Sequence, residues 1–506
     1  MKSKNIKLLL SCLFVSALTS CTLNYDPVSS YSEITNGTPS DTTQILLKDR
    51  DAAVSQRQVL YQLLRNRQEH WYLDLELIAE THSDNAYAGT TGAEVVPFEN
   101  NNIDASNPNL ERDWNRYLED IAQSNVLING LDYLQKKNLV SQAEYNQWQA
   151  EGKIFRAMVL FDMCRIWGGV PLITTVAQTI TADNIKEIYP IYYPAKTTAV
   201  ECYKQIESDL TSALQNAPDI KTSDKTLLSK TVAQAMLAKV YAEKPIRDYN
   251  KVVQYAELVK STAGLTLESD YSNLFGYDTT TKDCKKRNTS ESILEYQYQT
   301  GDSNWSSWMF GRDLTSYDFY FTWAKWTTPS RDLIKAYDDE GDVIRKNESI
   351  VYYACSWSNY YPANNYPFMY KARSGVNNII KLRLADILLL EAEAKVNLGS
   401  LSDAASLVNQ IRNRVSLASL PSTTTSDKTA MADAVLKERR LELAFECQRW
   451  FDLCRNDKVE PVMNAVYAKD SGRLAQKRTF DKNSYLLPIP QTALDKNNNL
   501  IQNLGY

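Results

Sequence analysis

KERRLELAFECQRWFDLCR, residues 437–455, is dense in charge yet carries a strong apolar stripe. Leu441, Ala444, Phe445, Cys447, Phe451 and Cys454 recur at spacings of three and four, which places them on or beside one face of a helix. Glu438, Glu442, Glu446 and Arg439, Arg449, Arg455 take the rest of the surface. Glu446 and Arg449, three apart, can meet there. Trp450 and Phe451 add bulk that one helix cannot bury alone, so the stretch predicts an amphipathic helix packed on other helices. No catalytic nucleophile accompanies its carboxylates, which read as structural.

The same period recurs upstream. Helices are predicted over 380–398 and 402–414 with Gly399 as the cap between them, and over 195–215, 227–243 and 248–261. Two longer ones cover 109–134 and 141–167. Ser141 and Glu144 form a capping box at the start of the latter, and Gly168-Gly169-Val170-Pro171 stops it. A first helix runs over 41–69 and continues through 71–78. Helices in pairs joined by short turns are the grammar of a tetratricopeptide-like solenoid. The repeats are not regular at 34 residues, so pairing carries the signal. The fold class is therefore mainly α: a helical-pair scaffold with an irregular, loop-rich aromatic subdomain for a ligand.

Two stretches break the pattern. Residues 81–109 are rich in Asn, Gly, Thr and Asp, and an irregular segment of that length between helices is often functional. Residues 269–379 hold strand-like ESILEYQYQ and then an aromatic run, with Trp305, Trp308, Tyr317, Tyr320, Trp323 and Trp326 among small polar residues. Flat rings can stack on the C–H face of a sugar or on another planar ligand, while neighbouring polar groups set its orientation. These six rings are the leading candidates for ligand binding. Asp84, Asn85 and Tyr87 of the earlier loop are added as polar groups and one ring. The bland reading makes about half of the region's rings a subdomain core.

The 506 residues carry net charge −5, from 56 basic and 61 acidic side chains, which gives no support to a nucleic-acid binder. Two His in the chain make a His-based catalytic or metal site improbable. Asp338-Asp339-Glu340-Gly341-Asp342 lacks the ligand alternation of a calcium loop and reads as a solvated turn. No phosphate loop or G-x-S-x-G occurs. The expectation is no catalysis, no cofactor and no metal.

Lys2, Lys4 and Lys7 precede an apolar run too short to span a membrane, which ends in Leu18-Thr19-Ser20-Cys21. That is a lipobox, with Cys21 the lipid attachment. The division expected is a signal over 1–20, a tether over 21–43, a helical part over 44–268, the aromatic insertion over 269–379, and a helical part with tail over 380–506. The tail, with LLPIP and QNLGY, should pack on the body. Cys164, Cys202, Cys447 and Cys454 fall in predicted helices and read as small core residues. Cys284 and Cys355 lie in loop-rich sequence, where an exported protein could pair them; spacing leaves this open.

Several blocks together resemble the SusD/RagB-like family. They are ER-RLELAFE-QRWFDL-R at 438–455, RA…GGVPL at 156–172, Y..I..DL at 203–210, RLADILL..AEA at 383–394, Asn409, Arg412 and Arg414, the lipobox start and the LLPIP…QNLGY ending. The resemblance implies a tetratricopeptide-like scaffold with an irregular ligand-binding half, and no catalysis. It also implies a lipid-anchored protein at the outer membrane surface that caps a SusC-like TonB-dependent transporter. Such a lid delivers oligosaccharide or, in some members, peptide. No ligand residue carries over, so the aromatic candidates rest on composition and placement. The readings kept open are a glycan-binding lid, a peptide-binding lid or protein-interaction scaffold, and, more weakly, a surface glycosidase.

Overall fold

The structure is a computed structural model that describes residues 47–89, 92–176, 184–309, 326–356 and 360–506. The signal, Cys21 and the tether lie outside the described residues. The scaffold is helical. Helix α1 (Arg50–Asn66) packs on α2 (Pro108–Lys136), α2 on α3 (Gln142–Trp167), and α3 on α4 (Ala199–Ala213). The stack continues through α5 (Lys230–Ala242), α6 (Tyr249–Lys260) and α7 (Leu384–Asn397). Helix α7 then packs on both α8 (Leu401–Arg414) and α9 (Lys428–Glu442). Each helix covers the stripe of its predecessor, as the pairing in the sequence predicted. Among the described residues no helix is long and apolar enough to cross a membrane.

Local chemistry sets the helix ends. The Ser141–Glu144 capping box forms as expected, and Thr198 with Glu201 makes a second one at the start of α4. Helix α3 stops at Gly168, which takes φ +76°. A Cβ on the next residue, Gly169, would stand 1.9 Å from the Thr197 carbonyl oxygen, so the two chains meet there only because the side chain is absent. The tail docks on this corner. Leu487 N–H donates to Ile166 O at 2.8 Å, and the Trp167 indole donates to Pro488 O at 3.0 Å.

Two parts of the helical reading need correction. Residues 380–383, read as the start of a helix, are not helical. IIKLR forms a strand that pairs antiparallel with β-strand Ser292–Tyr296, the strand-like ESILEY segment. Its β-branched residues favour the pleat, and the helix begins only at Leu384. The opening stretch, 437–455, is also not one helix. Helix α9 ends at Glu442, Phe445 and Cys447 take φ of 62° and 60°, and α10 (Arg449–Arg455) starts afresh. Cys447 is thus a buried turn residue. Cys284 carries a free thiol, so the pairing with Cys355 is not made.

The turn has an electrostatic reason. The charges read as surface are buried and reach away from one another. Glu442 accepts from Arg383 Nη1 at 2.6 Å, Arg345 Nη1 at 3.1 Å and Arg414 Nη2. Glu446 takes Lys371 and Arg383, each at 2.6 Å, rather than Arg449. Arg439 bridges Asp386 and Asp452, both at 2.8 Å. The acidic turn at 338–342 is likewise only partly solvated: Asp342 is buried against Arg345 at 2.5 Å. Burial alone would raise the Glu442 carboxyl, but Arg414, Arg383 and Arg345 outweigh it and hold it well below the usual carboxylate range. These pairs tie Arg383 at the end of the strand before α7, Arg414 of α8, and α9 with the turn after it to Glu291, Arg345 and Lys371 of the inserted region. One apolar core also runs from Leu47 to Ile489 and includes Ile293, Leu294 and Met369, so the insertion shares the core of the helices.

Candidate ligand-binding site

Between α1 and the loop, the chain passes through two π-helical turns, Glu69–Leu73 and Leu77–Thr81. Such turns mark functional segments often enough to follow. Here they deliver the loop with Asp84, Asn85 and Tyr87 into the protein. Strand Ala86–Tyr87 pairs antiparallel with Thr328–Pro329, just past the aromatic run. Ser330 fixes the join: its N–H donates to Asn85 O at 2.9 Å and its hydroxyl to Asp84 O at 2.6 Å. The Thr81 hydroxyl donates to Trp326 O at 3.1 Å, and Trp326 N–H to Met309 O at 2.7 Å. The structure therefore brings together the two stretches that broke the helical pattern.

The polar candidates are consumed in holding that join. Asp84 is buried, with Arg449 Nε and Nη2 at 2.7 and 2.8 Å from its two oxygens and Arg440 Nη2 at 3.1 Å. Burial would raise its carboxyl; the two guanidinium groups hold it far below the ordinary range instead. Asn85 donates to Glu80 Oε2 at 2.6 Å and accepts from Arg440 Nε at 2.8 Å. In this structure Asp84 is held by two arginines and Asn85 by an arginine and a carboxylate, all from within the fold.

Tyr87 is the centre of an aromatic layer. Its ring stacks on Tyr360, with centroids 4.7 Å apart and planes at 16°, and lies 6.0 Å from Tyr361. Arg331 sits 4.4 Å over the Tyr361 ring and Arg473 5.0 Å over Tyr87. The hydroxyls are tied down as well. Tyr87 donates to Asp470 at 2.5 Å, Tyr360 to Glu99 at 2.7 Å and Tyr361 to Pro329 O at 2.8 Å. Burial, then donation to Asp470, pushes the Tyr87 phenol up to about 12, so it stays protonated and serves no acid–base role at neutral pH. Tyr87 and Tyr360 are buried and form the floor; Tyr361 is half-buried and Arg331 exposed at the edge. A cavity of about 370 Å³ opens beside the layer, lined by Tyr467, Asp470, Arg473 and Gln476 among others. What the layer presents to solvent is its edge, the half-buried Tyr361 ring and the exposed Arg331, held in place by the buried pair beneath.

The run itself is only partly in view. Trp305 is 43% exposed, with its backbone N–H on Gln68 Oε1 at 2.8 Å. Trp326 is half-buried against the core. Trp308 belongs to the short helix Ser306–Met309, but its side chain lies outside the description, as do Tyr317, Tyr320 and Trp323. Sequence reasoning did not single out Tyr360, Tyr361, Arg331, Glu99 and Arg473. Tyr360 and Tyr361 stood in the region's aromatic composition; nothing local marked Glu99 or Arg473, which join only through the fold. Among the described residues no group of three or more His, Cys, Asp or Glu could hold a metal ion.

Comparison with known proteins agrees with this architecture. Residues 33–242 match a family model described as starch-binding associating with outer membrane, and residues 317–506 match the SusD family model. The SusD-like protein P2 of Formosa agariphila is 27% identical over 479 residues, 86% of this chain and 89% of that protein. A SusD superfamily crystal structure from Bacteroides vulgatus aligns with TM-score 0.74 at 19% identity, covering 91% of this chain and all of that one. A laminarin-binding SusD-like protein aligns with TM-score 0.68 at 22% identity, over 91% of this chain and 100% of that one. With both halves matched and the fold shared throughout, the chain belongs to the SusD family.

Proposed function

We propose that this protein is a surface glycan-binding lipoprotein of the outer membrane. It captures oligosaccharide and delivers it to a SusC-like TonB-dependent transporter that it caps, without cleaving it. The observation that carries the reading is the join of the 81–89 loop to the end of the aromatic run. It sets stacked rings and cationic edges on a rigid scaffold whose family model is described as starch-binding. The laminarin-binding relative supports a glycan ligand on the same fold. The non-catalytic part rests on the carboxylates nearest the site. Asp84, Glu99 and Asp470 each accept from partners inside the fold, which suits them to support rather than proton transfer. Anchoring through Cys21 would keep the site at the membrane surface, since lipid chains give about 0.8 kcal/mol for each buried CH₂.

Native affinity electrophoresis tests this. A soluble chain starting at residue 22 is run through gels containing single polysaccharides. Retardation by one glycan class is expected. Unretarded migration through every glycan, with specific capture of peptides instead, would replace this reading with a peptide-binding one.

A further inference from the structure

A second cleft lies away from the aromatic layer, where the end of α1 meets strand Ser292–Tyr296 and the residues just after it. Its volume is about 630 Å³, within the range of small-molecule sites. Its walls are polar and rigid. Arg287 donates to Asp283 and Asn378, each at 2.5 Å, and to Tyr298 O at 2.7 Å. Glu295 is saturated by Asn288 N–H, Thr289 N–H, Gln297 and Asn378, at 2.8 to 3.2 Å. Arg65 pairs with Asp302. Every charge on these walls thus has an opposite charge or a full set of donors.

Three amides are left over. Gln62 and Asn66, four apart on α1, and Gln299 across the cleft are exposed, and their side chains make no hydrogen bond among the described residues. Each offers a carbonyl and an NH₂, the pair of groups that a hydroxyl can use as donor and acceptor at once. Two residues beyond Asn66, the Gln68 side chain donates to Ser303 O at 2.9 Å and accepts from the Trp305 backbone N–H at 2.8 Å, so the main chain that carries the exposed Trp305 is fixed to the segment that follows α1.

We propose that this cleft is a second glycan subsite, selective for neutral, hydroxyl-rich oligosaccharide over acidic glycan. The inference rests on the glycan-binding reading above. Unpaired amides recognise hydroxyls, and among the described residues of the walls no uncompensated cation stands ready to repay desolvation of a carboxylate or sulfate. Trp305 supplies the stacking face at the mouth.

The test is calorimetric titration of the residue-22 chain with neutral oligosaccharides (α-glucan, β-glucan, mannan, xylan, galactan) and with acidic ones (alginate, polygalacturonate). Gln62→Ala, Asn66→Ala and Gln299→Ala are compared with the wild type, together with their triple variant. Gln62→Trp fills the cleft from the same helix face. All are exposed positions, so melting temperatures should match the wild type. Each amide removed should weaken binding of a neutral ligand by about two- to tenfold, and the triple and Trp variants by at least about tenfold. Unchanged binding in the triple and Trp variants would overturn the cleft while leaving glycan binding intact. Equal affinity for acidic oligosaccharides, with the same sensitivity, would overturn the neutral class. No binding to any glycan would overturn the subsite and the parent reading together.

Discussion

Replacing Glu442 with Gln removes one charge from the centre of the buried ion network and keeps the side chain's volume. Arg345 would keep Asp342 and Glu438, and Arg383 would keep Glu291 and Glu446. Arg414 would keep only Glu291, at 2.6 Å. All three guanidinium groups are buried or nearly so, and removing one partner from a buried charge typically costs about 3–5 kcal/mol. With unfolding entropy near 2.1 cal/mol/K per residue, a chain melting as one unit has roughly 1 kcal/mol/K. The expected fall in Tm is then about 3–5 °C. The pH dependence has a definite sign. The folded carboxyl is held below its ordinary value of 4.5, so its contribution is fully present above about pH 4.5. It is lost as pH falls through the depressed folded value. Scanning calorimetry from pH 7 down to 3.5 should show a constant gap between variant and wild type to about pH 5, closing below that. Glu257→Gln, from an exposed pair with Lys260, is the control and should move stability by less than about 0.5 kcal/mol. A Glu442→Gln melt indistinguishable from the control would refute the claim that the motif's charges hold the scaffold and insertion together.

Three other outcomes follow from single side chains. Burial raises the Glu80 carboxyl to about 7, so the native state loses stability as pH climbs from 4.5 to 7; Glu80→Gln should flatten Tm against pH across that window, by on the order of 1–3 kcal/mol, and an unaltered slope would count against it. Trp305→Ala should weaken glycan binding by roughly 1 kcal/mol or more with Tm unmoved, whereas Trp167→Ala, wholly buried, should cost about 3–5 kcal/mol of stability in urea titration. Gly169→Ala forces its Cβ onto the Thr197 carbonyl and should destabilise by about 1–3 kcal/mol; a wild-type melt would show that this corner opens freely.

The helical scaffold was legible because each helix needs a period of 3.6 and a cap, and both are local. Ser141–Glu144 and the Gly168-Gly169 stop could be read from a few residues. The failures were non-local. IIKLR at 379–383 looks like the first turn of the helix that follows it, and only Ser292–Tyr296, far away in sequence, makes it a strand. The charges of 437–455 looked solvated because a single stretch cannot show that Arg345, Arg383 and Arg414 will surround Glu442. Asp84 and Asn85 drew notice as loop polars, yet Arg440 and Arg449, from the opening stretch itself, occupy them. Composition located the aromatic region but could not rank its rings. Tyr87 and Tyr360 become a floor, and Trp305 a rim, only once the chain is folded.

The most direct test of the account is one titration. The oligosaccharide class that most retards the residue-22 chain in affinity gels is titrated calorimetrically into the wild type and into Trp305→Ala, with melting temperatures matched. Saturable binding in the wild type, weakened about fivefold or more in the variant, is the result predicted. Absence of saturable heat with every glycan offered would contradict the central claim that this surface captures carbohydrate.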